Sequence, residues 1–297
     1  MAGKTPKKYR ISRWVLLKRR ISGFWVIYKK NKLGLLGLGI LIFFALIAIF
    51  ADIIAPYSYT DYYVGGALEP PSSRFILGTD ELGRDLFSIL ILSSRISLLV
   101  GIVAALFTVV IGTLIGLVSG YFGGKVDEAL MRITDVFLML PGLPLLIVFA
   151  AILGPGVENI ILVISIISWP GTARAIRSQV LSLKERPFVE AARAAGASEL
   201  YILFKHILPN VAPLIFAYVV LNVPSAIIAE ASLSFLGFGD PTRPSWGVML
   251  QFAWDAGAIY QWNYIIPPGL CITLVAFAFA LIGYAMDEIL NPRLRAR

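Results

Sequence analysis

One run in this chain joins a carboxylate to a block of small residues: Glu190–Ala191–Ala192–Arg193–Ala194–Ala195–Gly196, followed ten residues on by Ile207–Leu208–Pro209 with His206 just ahead. These residue types suit mechanical contact better than bond making. Pro187 can open a helix, and Glu190 then favours its positive end. The alanines have high helix propensity and short side chains. Gly196 can adopt the left-handed conformation that closes such a helix. Ser198 is a good N-cap for a second helix, which Pro209 is expected to stop. The result is a short helix, a sharp turn and another helix within a connection of about 40 residues, far longer than an ordinary loop. Its small-residue face would seat deeply in a groove on a partner; a plain surface hairpin is the alternative.

Few residues of this chain suit catalysis. No G-x-x-x-x-G-K-[ST] loop is present, since the Gly124–Lys125 pair runs into Val126 and lacks the leading glycine. The lone His206 excludes a multi-histidine metal site. No G-x-S-x-G elbow occurs. Cys271 has no partner for an internal disulfide and reads as a small core residue. No metal or cofactor is expected in this chain, and an enzyme is not the reading these residues favour. Glu230 is the one acid placed well inside an apolar block, where an ionisable group costs ~2.5–3.5 kcal/mol on insertion scales unless it faces protein or water. It either lines a translocation path or sits near the outer end of a tilted helix. Asn222, Ser225 and Trp169 are further candidates for a polar lining.

The elements that must position these residues are membrane spans. Of 297 residues, 58% are hydrophobic and 15% charged, too few charges to cover a soluble globule. The apolar residues come in blocks long enough to cross a bilayer. Six are expected: 33–54, 96–118, 136–153, 160–169, 213–236 and 265–286. Pro141, Pro144, Pro224 and Pro267–Pro268 interrupt three of them, as spanning helices tolerate when neighbours satisfy the freed carbonyls. The fold class is all-α integral membrane, with six transmembrane helices.

Orientation follows from Lys and Arg. Residues 1–32 hold eleven of them and no acid. With that end cytoplasmic, 22 of the 26 Lys and Arg fall inside, and only Arg74, Arg84, Arg95 and Arg243 fall outside. The net charge of +8 is thus a topology signal, not a nucleic-acid footprint. Both termini are expected in the cytoplasm. The lead reads as an uncleaved signal anchor. Its Trp14, Leu17, Ile21, Phe24, Trp25 and Tyr28 suit a helix lying in the headgroup layer; a basic tail with scattered aromatics is the alternative. Gly112, Gly116 and Gly120, with Gly124 one step further, place small residues on one helix face. They point to close packing within the subunit or at a subunit interface.

The run from Glu190 to Gly196, with Ile207–Leu208–Pro209 behind it, resembles the EAA loop of permease subunits in ABC importers. His206–Ile207–Leu208–Pro209–Asn210 resembles the peptide-importer branch, although His206 stands where the family pattern has Ile. Leu77–Gly78–Thr79–Asp80–Glu81–Leu82–Gly83–Arg84–Asp85 is similar to the stretch after the first span in the second permease of dipeptide/oligopeptide systems. Glu230–Ala231–Ser232–Leu233–Ser234–Phe235–Leu236–Gly237 and Asp287–Asn291–Pro292 are similar to that subunit too. The resemblance runs from about residue 30 to the end.

It implies the type I ABC importer permease fold, in a multi-pass protein of the prokaryotic cytoplasmic membrane. It implies a basic segment at 1–32, a first span with its outer segment at 33–94, and a five-helix core at 95–297 whose coupling loop is 172–212. It implies a homologous second permease, two ABC ATPase subunits that bind ATP and Mg, and an extracytoplasmic substrate-binding protein. Glu190, Ala191, Ala192, Arg193, Gly196, His206, Leu208 and Pro209 would then form the ATPase-coupling element, with Glu190 its polar anchor; a Glu190–Arg193 pair on one helix is the plainer role. The segments 57–87 and 237–262 would face the binding protein, while Trp246, Trp254, Tyr260 and Trp262 equally suit a membrane-interface belt. The substrate implied is a di- or oligopeptide, with nickel, glutathione or oligosaccharides as alternatives. A self-contained secondary transporter competes, but it calls for internally repeated halves and midplane charges. A receptor or scaffold leaves the EAA-like loop unexplained.

Overall fold

A computed structural model describes residues 28–290, with side chains to residue 286. The expected headgroup helix at residues 14–25 and the Asp287–Asn291–Pro292 side chains lie outside them. The described residues form helices, with one isolated bridge between Thr79 and Asp85. In chain order they are α1 (Lys32–Ile49), α2 (Ala51–Ile54), α3 (Leu86–Phe122), α4 (Gly124–Met139), α5 (Gly142–Leu153), α6 (Val157–Ser168), α7 (Pro170–Lys184), α8 (Pro187–Ala194), α9 (Glu199–Ile202), α10 (Leu208–Leu233), α11 (Trp246–Asp255) and α12 (Trp262–Leu290). A π-helical turn, Leu203–Ile207, joins α9 to α10, and another, Ser234–Phe238, extends α10.

Four helical runs are long and apolar enough to cross a membrane: 32–49, 86–122, 199–238 and 262–286. Two bent pairs bring the number to six. The expected 136–153 span is broken: α4 and α5 meet at 95°. Pro141 has no N–H and forces the residue before it toward extended geometry, and Leu140 accordingly has ψ 140°. The expected 160–169 span is α6, and it continues past a 45° bend at Trp169–Pro170 into α7. Residues 172–184, read as the first part of a cytoplasmic loop, are therefore helix.

Small residues set the packing. A Cβ on Gly112 would lie 2.7 Å from Thr172 Cβ, on Gly116 2.6 Å from the Ala173 carbonyl, and on Gly120 2.9 Å from the Arg177 carbonyl. The glycine ladder thus lies along α7 of the same chain as far as Gly120, while Gly124 opens α4 at φ +54° with no atom within 4 Å of its Cβ position. Gly101 meets Ile227 of α10 in the same way, and Gly37 meets the Ala278 carbonyl of α12. With little hydrophobic drive between helices in lipid, such backbone approach is what gives them contact. One buried cluster fills the middle of the bundle, around Ala104, Ile164, Ile227, Trp246 and Val275. A second lies at the hairpin end, around Tyr121, Ile176, Val189, Ile202 and Ile207. A third lies at the opposite end, around Leu86, Met249 and Tyr264.

Candidate functional site

The hairpin is built from local signals. Pro187 opens α8 and Gly196 turns the chain at φ +82°. The Ser198 hydroxyl accepts from the Tyr201 N–H to start α9. Only Val189 of α8 is buried; it enters the cluster beneath, while Ala192 packs half-buried beside it. Glu190, Ala191, Arg193 and Gly196 face outward. Arg193 pairs with Glu199 at 3.7 Å instead of with Glu190, and Tyr121 donates to the other Glu199 oxygen. Glu190 makes no ion pair among the described residues. The hairpin is therefore clamped to the end of α3 through Glu199, leaving the Glu190 carboxylate free.

The second helix does not stop at Pro209. The π turn at Leu203–Ile207 lets Leu208 N–H donate five residues back to the Leu203 carbonyl. Asn210 Nδ2 donates to the His206 carbonyl at 2.6 Å, satisfying an oxygen near the proline. Helix thus continues past Pro209, from Glu199 to Leu236, until Gly237 leaves helical geometry at φ +93°. His206 is half-buried between the Phe188 and Tyr201 rings, at 6.3 and 5.7 Å. Leu208 is half-buried and Pro209 exposed. Around them Phe188, Leu200, Tyr201 and Phe204 are exposed, an apolar rim the sequence reading did not single out. Its signal was there: large apolar residues recur on both sides of the alanine run, at 188–189 and 200–204.

The polar candidates in the spans do not converge. Trp169 is buried against Phe137. Asn222 is half-buried, donating to the Tyr218 carbonyl at 2.8 Å. Ser225 is exposed on α10. Glu230 is 1% exposed and accepts from Ser234 Oγ at 2.7 Å and Ser97 Oγ at 3.5 Å. It is held inside the subunit.

The opposite end is a tight knot. Positive φ at Gly78 and Gly83 lets the backbone fold where a Cβ would lie 2.2 and 2.4 Å from the Glu69 and Gly65 carbonyls. Asp80 Oδ1 accepts from Leu82 and Arg84 N–H, and Oδ2 accepts from Arg84 Nε at 2.5 Å. The buried guanidinium lies over the rings of Tyr59, Tyr62 and Phe252 at 4.8–5.5 Å. Burial works against the Arg84 charge, but Asp80 prevails and holds its pKa up. Burial likewise pushes the Glu81 carboxyl above the usual carboxylate range, although Tyr264 donates to it. Arg243 forks onto Glu158 at 2.7–2.8 Å and reaches Asp240 at 2.8 Å, tying the loop before α11 to the start of α6.

Residues 112–296 match the family described as binding-protein-dependent transport system inner membrane component. This chain belongs to that family. Residues 20–71 match the N-terminal TM domain of oligopeptide transport permease C. The permease is similar to the Oligopeptide transport system permease protein OppC of Bacillus subtilis, 39% identical over 90% of this chain and 88% of the relative. It is similar to the Di/tripeptide transport system permease protein DppC of Pseudomonas aeruginosa, 39% identical over 93% of each. The Glutathione transport system permease protein GsiD of Pectobacterium atrosepticum is 40% identical over 88% of this chain and 86% of the relative. Among solved structures, a chain of the inward-facing MetNI methionine ABC transporter superposes with TM-score 0.52 at 24% identity, covering 70% of the permease and 95% of that chain; this shows the fold. The permease is a multi-pass inner-membrane transport component, as the Glu190–Gly196 run and its companions led one to expect.

Proposed function

We propose that this permease forms half of the translocation pathway of an ATP-driven importer for di- and oligopeptides, and that its hairpin at 187–206 couples it to cytoplasmic ATPase subunits. The observation that carries this is the hairpin itself. Its exposed small-residue face, free Glu190 and apolar rim stand at one end of a 40-residue helical run. A short helix without bulky side chains seats closely, so a push on α8 passes into α10 instead of being lost in loose contact. Glu190 is the polar anchor, Arg193 braces the hairpin from within, and Gly196 supplies the turn. His206, Leu208 and Pro209 form its base.

The Lys and Arg distribution supports a cytoplasmic location for this end and both termini. Lipid surrounds the bundle, and the basic lead at 1–32 meets the inner headgroups. The core at 95–297 does the transport, while the outer segment within 33–94 and the loop before α12 meet an extracytoplasmic binding protein. A homologous permease completes the pathway, for which Asn222 and Ser225 on α10 are the lining candidates. ATP and Mg belong to two partner ATPases. The peptide assignment rests on the names of the OppC and DppC relatives. Glutathione, itself a tripeptide, is the second reading, on the strength of GsiD.

Co-purification tests the coupling role. Glu190→Lys with Gly196→Val is expected to lose the ATPase subunits and uptake while the permease still inserts; retention of both would end the assignment. Competition for uptake by dipeptides, longer peptides and glutathione, with the receptor encoded beside this chain, tests the substrate.

A further inference from the structure

Glu230 is a buried acid without a cation. No ion pair reaches it among the described residues, and its oxygens meet the hydroxyls of Ser234 and Ser97, with Ser245, the N-cap of α11, also reaching it. Ser234, one turn on, donates to one oxygen. Ser97 of α3 donates to the other, and the Ser97 oxygen accepts the backbone N–H of Trp246 at 3.0 Å. Trp246 is the first residue of α11, so the carboxylate is linked through one hydroxyl to the positive end of a ten-residue helix.

The surroundings leave no slack. A Cβ on Gly247 would lie 2.7 Å from the Cα and carbonyl of Ala231, beside Glu230. Trp246 is fully buried, its indole donating to the Leu90 carbonyl at 3.1 Å and its ring meeting Phe44 edge-on at 5.7 Å. The start of α11 is thus fastened to α1, α3 and α10 at one point. Beyond it the chain exposes Trp254, Tyr260 and Trp262. The helical run that holds Glu230 ends at the hairpin on its other side.

We propose that Glu230 is a positioning residue that locks α11 to α10, so that the exposed aromatic loop at one end and the hairpin at the other move as one body. This rests on the transporter reading above. A load placed on the aromatic face reaches the ATPases through the Trp246–Ser97–Glu230 link and the unbroken helix. Without the link, α11 yields on its own and the message stops there.

The test uses the full transporter in proteoliposomes, with ATPase rate measured with and without its substrate-loaded receptor. Glu230→Gln keeps the shape and turns one of the two acceptor oxygens into an amide donor. It is expected to lower the ratio of receptor-stimulated to basal ATPase by at least about fivefold, the lower range of coupling between distant sites. Ser97→Ala spares the carboxyl and cuts the tie to Trp246 while Ser245 still reaches Glu230, and is expected to give part of that loss. The two together should cost no more than Glu230→Gln alone, since both act through one cluster. A role in stability alone lowers basal and stimulated rates together and leaves the ratio intact. That result, in Glu230→Gln or, if that variant does not assemble, in Ser97→Ala, overturns the proposal. A wild-type complex without ATP-driven uptake sinks the transporter reading itself; an active wild type with an insensitive ratio sinks only this inference.

Discussion

The two ends of the bundle handle charge in opposite ways. At the end that carries Gly78 and Gly83, cations are turned inward or locked: Arg84 is buried on Asp80 and Arg243 is forked onto Glu158. The hairpin keeps its own charges out, although Arg177 of α7 forks onto Asp127 of α4 at 2.6 Å nearby. Arg193 and Glu199 are both about half exposed, and α8 offers the fold a single buried side chain, Val189. The first end settles its charges within the subunit and exposes Trp254, Tyr260 and Trp262. The second is rigid at its root and open on its face, which is what a surface built for a partner requires.

The contrast breaks first at Arg84. Arg84→Ala strands the Asp80 carboxylate in a buried site and removes a cation from three rings. It is expected to cost about 3–5 kcal/mol, seen as early melting and as new proteolytic cuts within 57–85. A change below about 1 kcal/mol would mean that the knot does not depend on its charges.

Next comes the boundary between the ends, where α3 lies on α7. Gly116→Val places methyl groups where the Ala173 carbonyl and Ile176 Cβ already stand. Overpacking of about 1–3 kcal/mol is expected, read as a lower Tm of the detergent-purified protein. Gly196→Ala gives the sharper comparison. No atom lies within 4 Å of a Cβ there, yet φ is +82°, so only backbone strain of about 1–2 kcal/mol applies. ATPase retention should suffer more than global Tm, because the strain sits in the hairpin.

The smallest effect belongs to Asp240. Burial raises its pKa, but hydrogen bonds from Thr242 and Arg243 prevail and hold it at about 2. A depressed folded pKa contributes stability above the unfolded value of about 3.9 and loses it as pH falls toward 2. Asp240→Asn is expected to lower stability by no more than about 1 kcal/mol at neutral pH. The Tm gap to wild type should close as pH drops from 5 toward 2.

How much of this was legible follows from range. Pro187, Gly196 and Ser198 act within a few residues of themselves, and the hairpin's start, turn and restart could be read from them. The apolar blocks revealed four spans directly. Pro141 marked an interruption, and the extended Leu140 before it is where the helix breaks; the 95° angle between the two halves was not legible. Pro209 read as a stop because its missing N–H is costly in a regular helix; the π turn before it changes the hydrogen-bond register. Arg84 could not be read at all, since its cage takes Tyr59 from one loop and Phe252 from a helix some 170 positions away. The glycine ladder showed a face, though not which helix it met.

The widened turn at Leu203–Ile207 has a consequence for how this molecule tolerates change. Each residue inserted into or removed from a helix rotates everything beyond it by about 100°. The bearing of the hairpin relative to α10 is therefore fixed by counting, with one extra residue stored in a single loose coil. Deleting one position there would tighten the coil into a regular turn and leave Leu200 and Tyr201 facing as they do, whereas a deletion elsewhere in the helix would swing them a quarter-turn away. Substituting the same positions would leave that compass heading intact.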